Sequence, residues 1–176
     1  MVRFIKFLAY TLFFIMSVLI FLPKENLYFL LEKELAKQDI FISNETISTG
    51  LFSIELEDAV VTYEGIEVAK IIRSDFELFL LYDKVELKEI ELSSLISNYW
   101  PSKIENVVVT YSVIDPVNIH AVAEGTFGQI VAEYSLEDSR VSVVLKPSKL
   151  IFKKYRSTLR YFKKSKDGEY TYEKSL

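Results

Sequence analysis

The chain has 176 residues, of which half are apolar and 14% are aromatic, so a disordered protein is excluded and one folded domain with its own core is expected. It contains no cysteine, which excludes disulfide frameworks and thiolate metal sites. The net charge of -4 is unevenly distributed, because residues 1–138 hold 10 Lys and Arg against 22 Asp and Glu, whereas residues 139–176 hold 11 against 3. An acidic body is therefore followed by a basic tail.

The N-terminus carries a long uncharged apolar segment. Residues 7–22 contain no charged residue, with Arg3 and Lys6 before them and Lys24 after them. A helix of about 20 apolar residues crosses a bilayer core, and flanking lysines can extend a slightly shorter one. The pattern predicts a transmembrane anchor over residues 1–23 with a short cytoplasmic N-terminus. The residues expected to face lipid are Phe7, Leu8, Leu12, Phe13, Phe14, Ile15, Leu19 and Phe21.

Two alternatives to a retained anchor were weighed. A cleaved signal peptide needs small residues at its cleavage site, but no small residue follows Ser17 until Ala36. A buried core helix normally has a polar side, which residues 7–22 lack. The basic residues lie before the segment, so the positive-inside rule places residues 24–176 across the membrane from the N-terminus.

The rest of the chain changes period twice. Leu27, Leu30, Leu31 and Leu35 recur at helical spacing and predict a short amphipathic helix. From residue 40 to residue 146 apolar and polar residues alternate, which predicts about eight short strands in a curved antiparallel sheet. Turn signals fall at residues 64–65, 82–83, 115–116, 124–125 and 137–138.

A change of parity interrupts one of these strands. In residues 84–92 the apolar positions change from odd, at Val85 and Leu87, to even, at Ile90 and Leu92. Side chains of a strand alternate between its faces, so this change predicts a bulge or a break.

Helical spacing returns in residues 148–164, followed by a short strand over residues 169–173. Ile151, Tyr155, Leu159 and Phe162 form one stripe, which predicts an amphipathic helix packed on the sheet. Its opposite face is either a solvated surface or a contact for anionic headgroups or an acidic partner. The cations of that face are Lys149, Lys153, Arg156, Arg160, Lys163 and Lys164.

The sequence offers no catalytic or metal-binding constellation. The single histidine, His120, lies in a strand pattern, and no serine is flanked by the glycines of a nucleophile elbow. Pairs such as Glu55/Glu57 share one strand face and fit a solvated surface. We therefore expect no enzyme activity, no cofactor and no metal, and, because the domain is expected outside the cytoplasm, no nucleic acid as a partner.

The order of these segments resembles the N protein of the type II (general) secretion pathway and related AsmA-like envelope proteins. The similarity rests on residues 50–61, on residues 63–69, and on residues 123–130 and 140–148. The resemblance implies a bacterial inner-membrane protein with a single span, a periplasmic domain over residues 24–176, a curved β structure with an apolar interior, and no enzyme activity.

The expected fold is thus mainly β, with a transmembrane helix, a short helix, a curved antiparallel sheet that is an open groove or a partly closed barrel, and a basic C-terminal amphipathic helix. The first hypothesis for function is a non-enzymatic component of a secretion or envelope-assembly machinery, with envelope proteins as partners. The alternative is a lipid-binding or lipid-transfer module that holds acyl chains on an apolar sheet face.

Overall fold

The structure is a computed structural model that describes residues 2–21, 23–79, 81–165 and 167–175. Leu22 and the side chain of Leu19, which belong to the predicted anchor, lie outside the described residues, as does Lys166. The helices are α1 Val2–Phe21, α2 Lys24–Ala36, α3 Ser94–Ser97 and α4 Lys149–Lys154, with a 3-10 helix at Thr158–Tyr161.

Within the described residues, eleven strands form one open antiparallel sheet. Strands β3 to β9 follow one another as hairpins, and β11 and then β10 extend the sheet beyond β9. At the other edge, β1 and β2 pair with different halves of β3. The strands are β1 Ile40–Ser43, β2 Thr46–Thr49, β3 Ser53–Tyr63, β4 Ile66–Leu78, β5 Tyr82–Leu92, β6 Lys103–Ser112, β7 Asp115–Gly125, β8 Gly128–Ser135, β9 Arg140–Pro147, β10 Lys163–Lys164 and β11 Tyr170–Ser175.

The predicted break in β5 is confirmed. Glu89 has a φ of 53° and lies between two regular ladder pairs, Arg73 with Lys88 and Ile71 with Ile90. A residue in the left-handed region rotates the strand, so the apolar side chains on both sides of Glu89 reach the same face of the sheet. The apolar residues of β5 therefore change from odd to even positions although they stay on one face of the sheet.

Two clusters of buried residues lie on the same face of the sheet. At one side Tyr28 of α2 packs on Ile54 and Leu56. At the other side the β7–β8 turn, α4 and the 3-10 helix cover the ends of β6–β9. The buried residues of this second cluster are Phe127, Leu145, Ile151 and Leu159.

The predicted anchor folds as helix α1, and its apolar side chains are exposed. Among the described anchor residues Ile15 is half-buried and the others are exposed, which excludes the core-helix alternative. In the part of the chain that the structure describes, no helix is both long and apolar enough to cross a membrane. The predicted span is therefore not supported there. The helix includes the charges of Arg3 and Lys6, and its remaining 15 or so residues rise only about 22 Å.

The apolar stripe predicted for α2 does not face the sheet. Leu27, Leu30 and Leu31 are exposed, whereas Lys24 and Tyr28 are buried. The Tyr28 ring packs on the sheet, and its hydroxyl donates a hydrogen bond to Glu45 Oε1 at 2.9 Å. Burial, together with this contact to Glu45, raises the pKa of Tyr28. An aromatic ring with a partner for its hydroxyl, and not the leucine stripe, thus provides the contact between α2 and the sheet.

The predicted basic helix over residues 148–164 is wrong as one element. Helix α4 ends at Lys154, and the 3-10 helix and β10 follow it. Tyr155 and Thr158 donate side-chain hydrogen bonds to the carbonyl oxygens of Ser97 (3.3 Å) and Tyr99 (2.7 Å). These bonds tie the chain to the segment after α3, and a serine–threonine pair offers little helix propensity against them. The predicted apolar stripe does pack on the sheet, through Ile151 and Leu159.

We expect Gly128→Ala to lower the free energy of unfolding by about 3 kcal/mol or more, since it combines left-handed strain with a steric overlap. Gly128 has a φ of 113°, and an added Cβ would overlap the carbonyl oxygen of Lys146 on the neighbouring strand. Gly65 is the matched control, because its φ is 78° but nothing lies within 4 Å of its Cβ position. Gly65→Ala should cost about 1 kcal/mol. Equal losses in urea denaturation would contradict the overlap.

Candidate functional site

One face of the sheet is almost continuously apolar. Directly opposed residues of antiparallel strands share a face, so the pairing register identifies rows of side chains that run across the strands. Ser74 and Asp83 interrupt the rows. One row runs through Phe76, Val85, Val109, Ala121, Ala132, Val143 and Tyr172, and the next runs through Leu87, Val107, Ala123, Ile130, Leu145 and Tyr170.

The middle of this face is not covered by the described residues. The clusters around Tyr28 and Phe127 bury its two sides, and between them the side chains are only half-buried and belong to neither cluster. We call this part the central apolar face. Its residues are Val85, Leu87, Val107, Val109, Tyr111, Ile119, Ala121, Ala132, Tyr134, Val141 and Val143.

The opposite face carries ion pairs instead. Lys70 Nζ lies 2.8 Å from Asp58 Oδ1, and Lys84 Nζ lies 2.9 Å from Glu86 Oε2. The hydrogen bond between Lys84 and Glu86 raises the pKa of the lysine and lowers that of the glutamate. The contact with Asp58 likewise raises the pKa of Lys70. Beside these ion pairs, Val108, Val122, Val131 and Val144 pair in one row across the same face, so this face is mixed whereas the first is almost continuously apolar.

His120 lies on the ionic face, where its side chain is about half exposed. Its Nε2 is 2.9 Å from Asp115 Oδ2 and its Nδ1 is 3.6 Å from Glu133 Oε2. In the described residues no group of three or more His, Asp or Glu side chains is placed to hold a metal ion. The neighbours of His120 are two exposed carboxylates, an arrangement that fits surface hydrogen bonding.

The structure divides the six predicted cations into two sets. All six are exposed, but only Arg156, Arg160 and Lys164 line a cavity of about 710 Å³. The same cavity is lined by Ser157, Tyr170, Phe152 and Leu159. We call it the cationic pocket. Lys149, Lys153 and Lys163 do not line this cavity. The predicted basic surface is therefore divided into a pocket with three cations and three cations outside it.

The cationic pocket lies near one end of the strands. Tyr170 pairs with Leu145, close to the Gly125–Gly128 turn, and β10 pairs with β11 at this end. Within the described residues, no carboxylate lies within ion-pair distance of its three cations. An anionic group is therefore the ligand that this pocket suits by charge.

The sequence indicated the apolar face only as a property of the predicted sheet. It did not identify which residues stay uncovered, because that depends on how far α2 and residues 148–164 reach across the sheet.

A scan against protein-family models and searches of curated proteins and of solved structures found no match to this chain.

Proposed function

We propose that this protein is a non-enzymatic lipid-binding module, anchored by α1 in the bacterial inner membrane, that holds acyl chains on the central apolar face. The observation that carries the proposal is the partial exposure of eleven apolar side chains that are contiguous on one face of the sheet, whose opposite face carries ion pairs. Soluble monomers rarely expose contiguous apolar patches larger than a few hundred Å² unless the patch binds something.

An acyl chain fits the face better than a polar ligand does. Apolar area removed from water stabilises by about 25 cal/mol per Å², so a flexible hydrocarbon lying along a row of valines and alanines gains from each contact. Ala121 and Ala132 pair directly in the middle of this face, and their side chains are single methyl groups. Neither residue offers a hydrogen bond that would orient a polar molecule.

The proposed anchoring rests on the exposed surface of α1. Phe7, Leu8, Phe13 and Phe14 project on different sides of the helix and all are exposed. A helix that is apolar on every side fits a membrane interior better than a membrane surface. Its shortness is compensated by snorkelling of Lys6 and by local thinning of the bilayer, at fractions of a kcal/mol per Å. In this proposal the sheet lies in the periplasm, on the side of the membrane opposite the basic residues Arg3 and Lys6.

Native mass spectrometry of the full chain tests the lipid proposal. The protein should carry discrete adducts with the masses of phospholipids or fatty acids, and these should survive exchange between detergents of different chain length. Stripped protein should also take up an added fatty acid. Protein that emerges without adducts from every detergent and binds no added fatty acid would exclude an acyl-binding face.

The cationic pocket supports a second role, the envelope-assembly function predicted from the resemblance. Arg156, Arg160 and Lys164 converge on one cavity without a described counter-charge, which suits an acidic surface of a partner protein. The secretion pathway itself stays a prediction.

We expect Arg156→Glu/Arg160→Glu to reduce the envelope proteins recovered with the full chain from crosslinked membranes by about tenfold or more, since each cation near a charged surface contributes about 1 kcal/mol. The control is Lys149→Glu/Lys153→Glu, which makes the same change of charge outside the pocket. Equal recovery with both variants would show that net charge, and not the pocket, sets the interaction.

A further inference from the structure

Three of the four hairpin tips at one end of the sheet are apolar and exposed, whereas the fourth, between β8 and β9, contains Glu137 and Asp138. Leu51 precedes β3 and is 66% exposed, Leu81 lies between β4 and β5 and is 67% exposed, and Ile114 lies between β6 and β7 and is 93% exposed. Turns between strands are usually built from polar residues and glycine. Three successive apolar tips on the same end therefore need an explanation other than chain reversal.

Contacts between the tips make them one surface. The Phe52 and Phe79 rings stack with centroids 5.6 Å apart, which joins the segment before β3 to the β4–β5 tip. The backbone N–H of Val113 donates to the Leu81 carbonyl oxygen at 3.1 Å, which joins the β4–β5 tip to the β6–β7 tip. We call this surface the apolar edge. Its exposed residues are Leu51, Phe79, Leu81, Val113 and Ile114.

The apolar edge lies beside the C-terminal end of α1. Ile20 and Pro23 line one cavity of about 290 Å³ with Thr49 and Gly50, and Gly50 immediately precedes Leu51. Lys24 fixes this junction, because its buried ammonium group donates to the Ile20 carbonyl oxygen at 3.3 Å. The chain thus leaves α1 at the end of the sheet where the apolar tips are.

The opposite end of the strands differs in chemistry. There β3 turns into β4 through Glu64 and Gly65, the exposed Leu95 and Tyr99 lie in the β5–β6 connection that contains α3, and the cationic pocket lies near the β7–β8 turn. The β strands between the two ends are up to about 13 residues long, which corresponds to roughly 40 Å. A bilayer that meets the apolar tips end-on, with the strands running away from it, therefore does not reach the cationic pocket.

We propose that the apolar edge inserts into the interface of the bilayer that holds α1. The inference rests on the membrane anchoring proposed above and adds a second, peripheral contact to it. Exposed leucine, isoleucine and phenylalanine side chains partition into the headgroup and acyl boundary of a membrane. With α1 and the tips both in the bilayer, the strands run outward from the membrane and the central apolar face opens onto the lipid at its membrane end.

The position of the apolar edge favours a bilayer, and not a second copy of the chain, as the surface that it contacts. A dimer contact at the tips would have to form beside a helix that already leads into the membrane. The three tips lie at the same end of the sheet and are joined by the Phe52–Phe79 stack and the Val113–Leu81 hydrogen bond. One bilayer surface therefore contacts all three tips at once.

The absence of cysteine from the chain permits a direct test with single-cysteine variants. A fluorophore is attached to Ile114→Cys, to Ile66→Cys and to Phe14→Cys in the full chain, reconstituted in phosphatidylethanolamine–phosphatidylglycerol vesicles that contain spin-labelled lipid. Ile66 is the matched control, an isoleucine 51% exposed at the β3–β4 hairpin of the opposite end. Phe14 reports on α1.

The inference predicts strong quenching at Phe14 and Ile114 and little at Ile66. A probe at Leu51→Cys should behave like the one at Ile114. Quenching at Phe14 with Ile114 quenched no more than Ile66 would overturn the inference while leaving the anchor in place. Weak quenching at Phe14 would instead contradict the proposed anchoring. Disulfide-linked dimers of Ile114→Cys without quenching would assign the edge to a second copy and also overturn the inference.

Discussion

In the Val109→Asp variant we expect the lipid that co-purifies with the full chain to fall by at least about tenfold, since an unpaired carboxylate beneath an acyl chain costs more than 1.4 kcal/mol. Val109 is half-buried in the central apolar face, between Val85 and Ala121 on the neighbouring strands. Aspartate is too short to carry its charge away from the strand into water, so it stays on the floor of the proposed binding face.

The neighbouring residue provides the matched control. Val108 is also a half-buried valine in β6, but it faces the ionic side and pairs with Glu86 and Val122. Val108→Asp makes the same substitution in the same strand, and this variant should retain lipid at the level of the parent chain. Lipid that associates with α1 is common to both variants and cancels in the comparison. A similar loss of lipid in both variants would count against the apolar face as the binding surface.

The Phe127→Ala variant should lose about 3–5 kcal/mol of stability, the range found for removing a fully buried aromatic side chain from a core. Phe127 has no exposed surface, and its ring centroid lies 5.4 Å from that of Trp100. It belongs to the buried cluster that holds the α4 segment on the sheet. Urea denaturation of the full chain in detergent, followed by tryptophan fluorescence, measures the change at Trp100 itself.

Phe152 is the control for this substitution. It lies in α4 close to the same cluster but is 45% exposed, with its ring 6.1 Å from Tyr170. Phe152→Ala should cost about 1 kcal/mol or less, as expected for a side chain in partial contact with its neighbours. If Phe127→Ala cost no more than Phe152→Ala, the cluster around Phe127 would not be the core of this side of the sheet.

Much of the sheet could be predicted because strand periodicity is a local signal. The alternation in residues 54–57, 85–88 and 141–145 agrees with the faces observed, and the change of parity located the irregularity at Glu89. About eight strands were predicted for residues 40–146, where the described residues form nine, and the separately predicted strand over residues 169–173 is confirmed as β11. The shortest strands, such as β2 and β10, contain too few residues to show a period.

Features set by tertiary contacts could not be predicted in the same way. The helical spacing of residues 148–164 gave the correct buried residues, Ile151 and Leu159, but not the break between them, which depends on hydrogen bonds to residues 97 and 99. The side of α2 that contacts the sheet could not be predicted either, because this contact depends on the hydrogen bond from Tyr28 to Glu45, far away in sequence.

The apolar edge was missed because turn rules look for polar residues and glycine. The predicted turns at residues 82–83 and 115–116 lie inside β5 and β7, and the true reversals fall on the apolar residues just before them. A run of apolar residues at a strand end, such as residues 79–82, was the available signal. Its meaning emerged only once the tips were placed beside α1.

The positions of the apolar edge, the central apolar face and the cationic pocket suggest that each part of the sheet has a different role. The apolar edge and α1 define the end proposed to be near the membrane, and the cationic pocket lies at the other end, where an acidic partner can reach it. The central apolar face lies between the two ends. A module arranged in this way would bind lipid close to the bilayer while presenting its cations away from it.

Photolabelling with a fatty acid that carries a diazirine near its methyl end tests the acyl-binding face most directly. The full chain is labelled in membranes, and the modified residues are identified by mass spectrometry of its peptides. We predict labels in β5–β9 at residues of the central apolar face, such as Val109, Ala121 and Ala132, that an excess of unlabelled fatty acid removes. Labels confined to α1, or spread equally over the ionic face, would contradict the proposal.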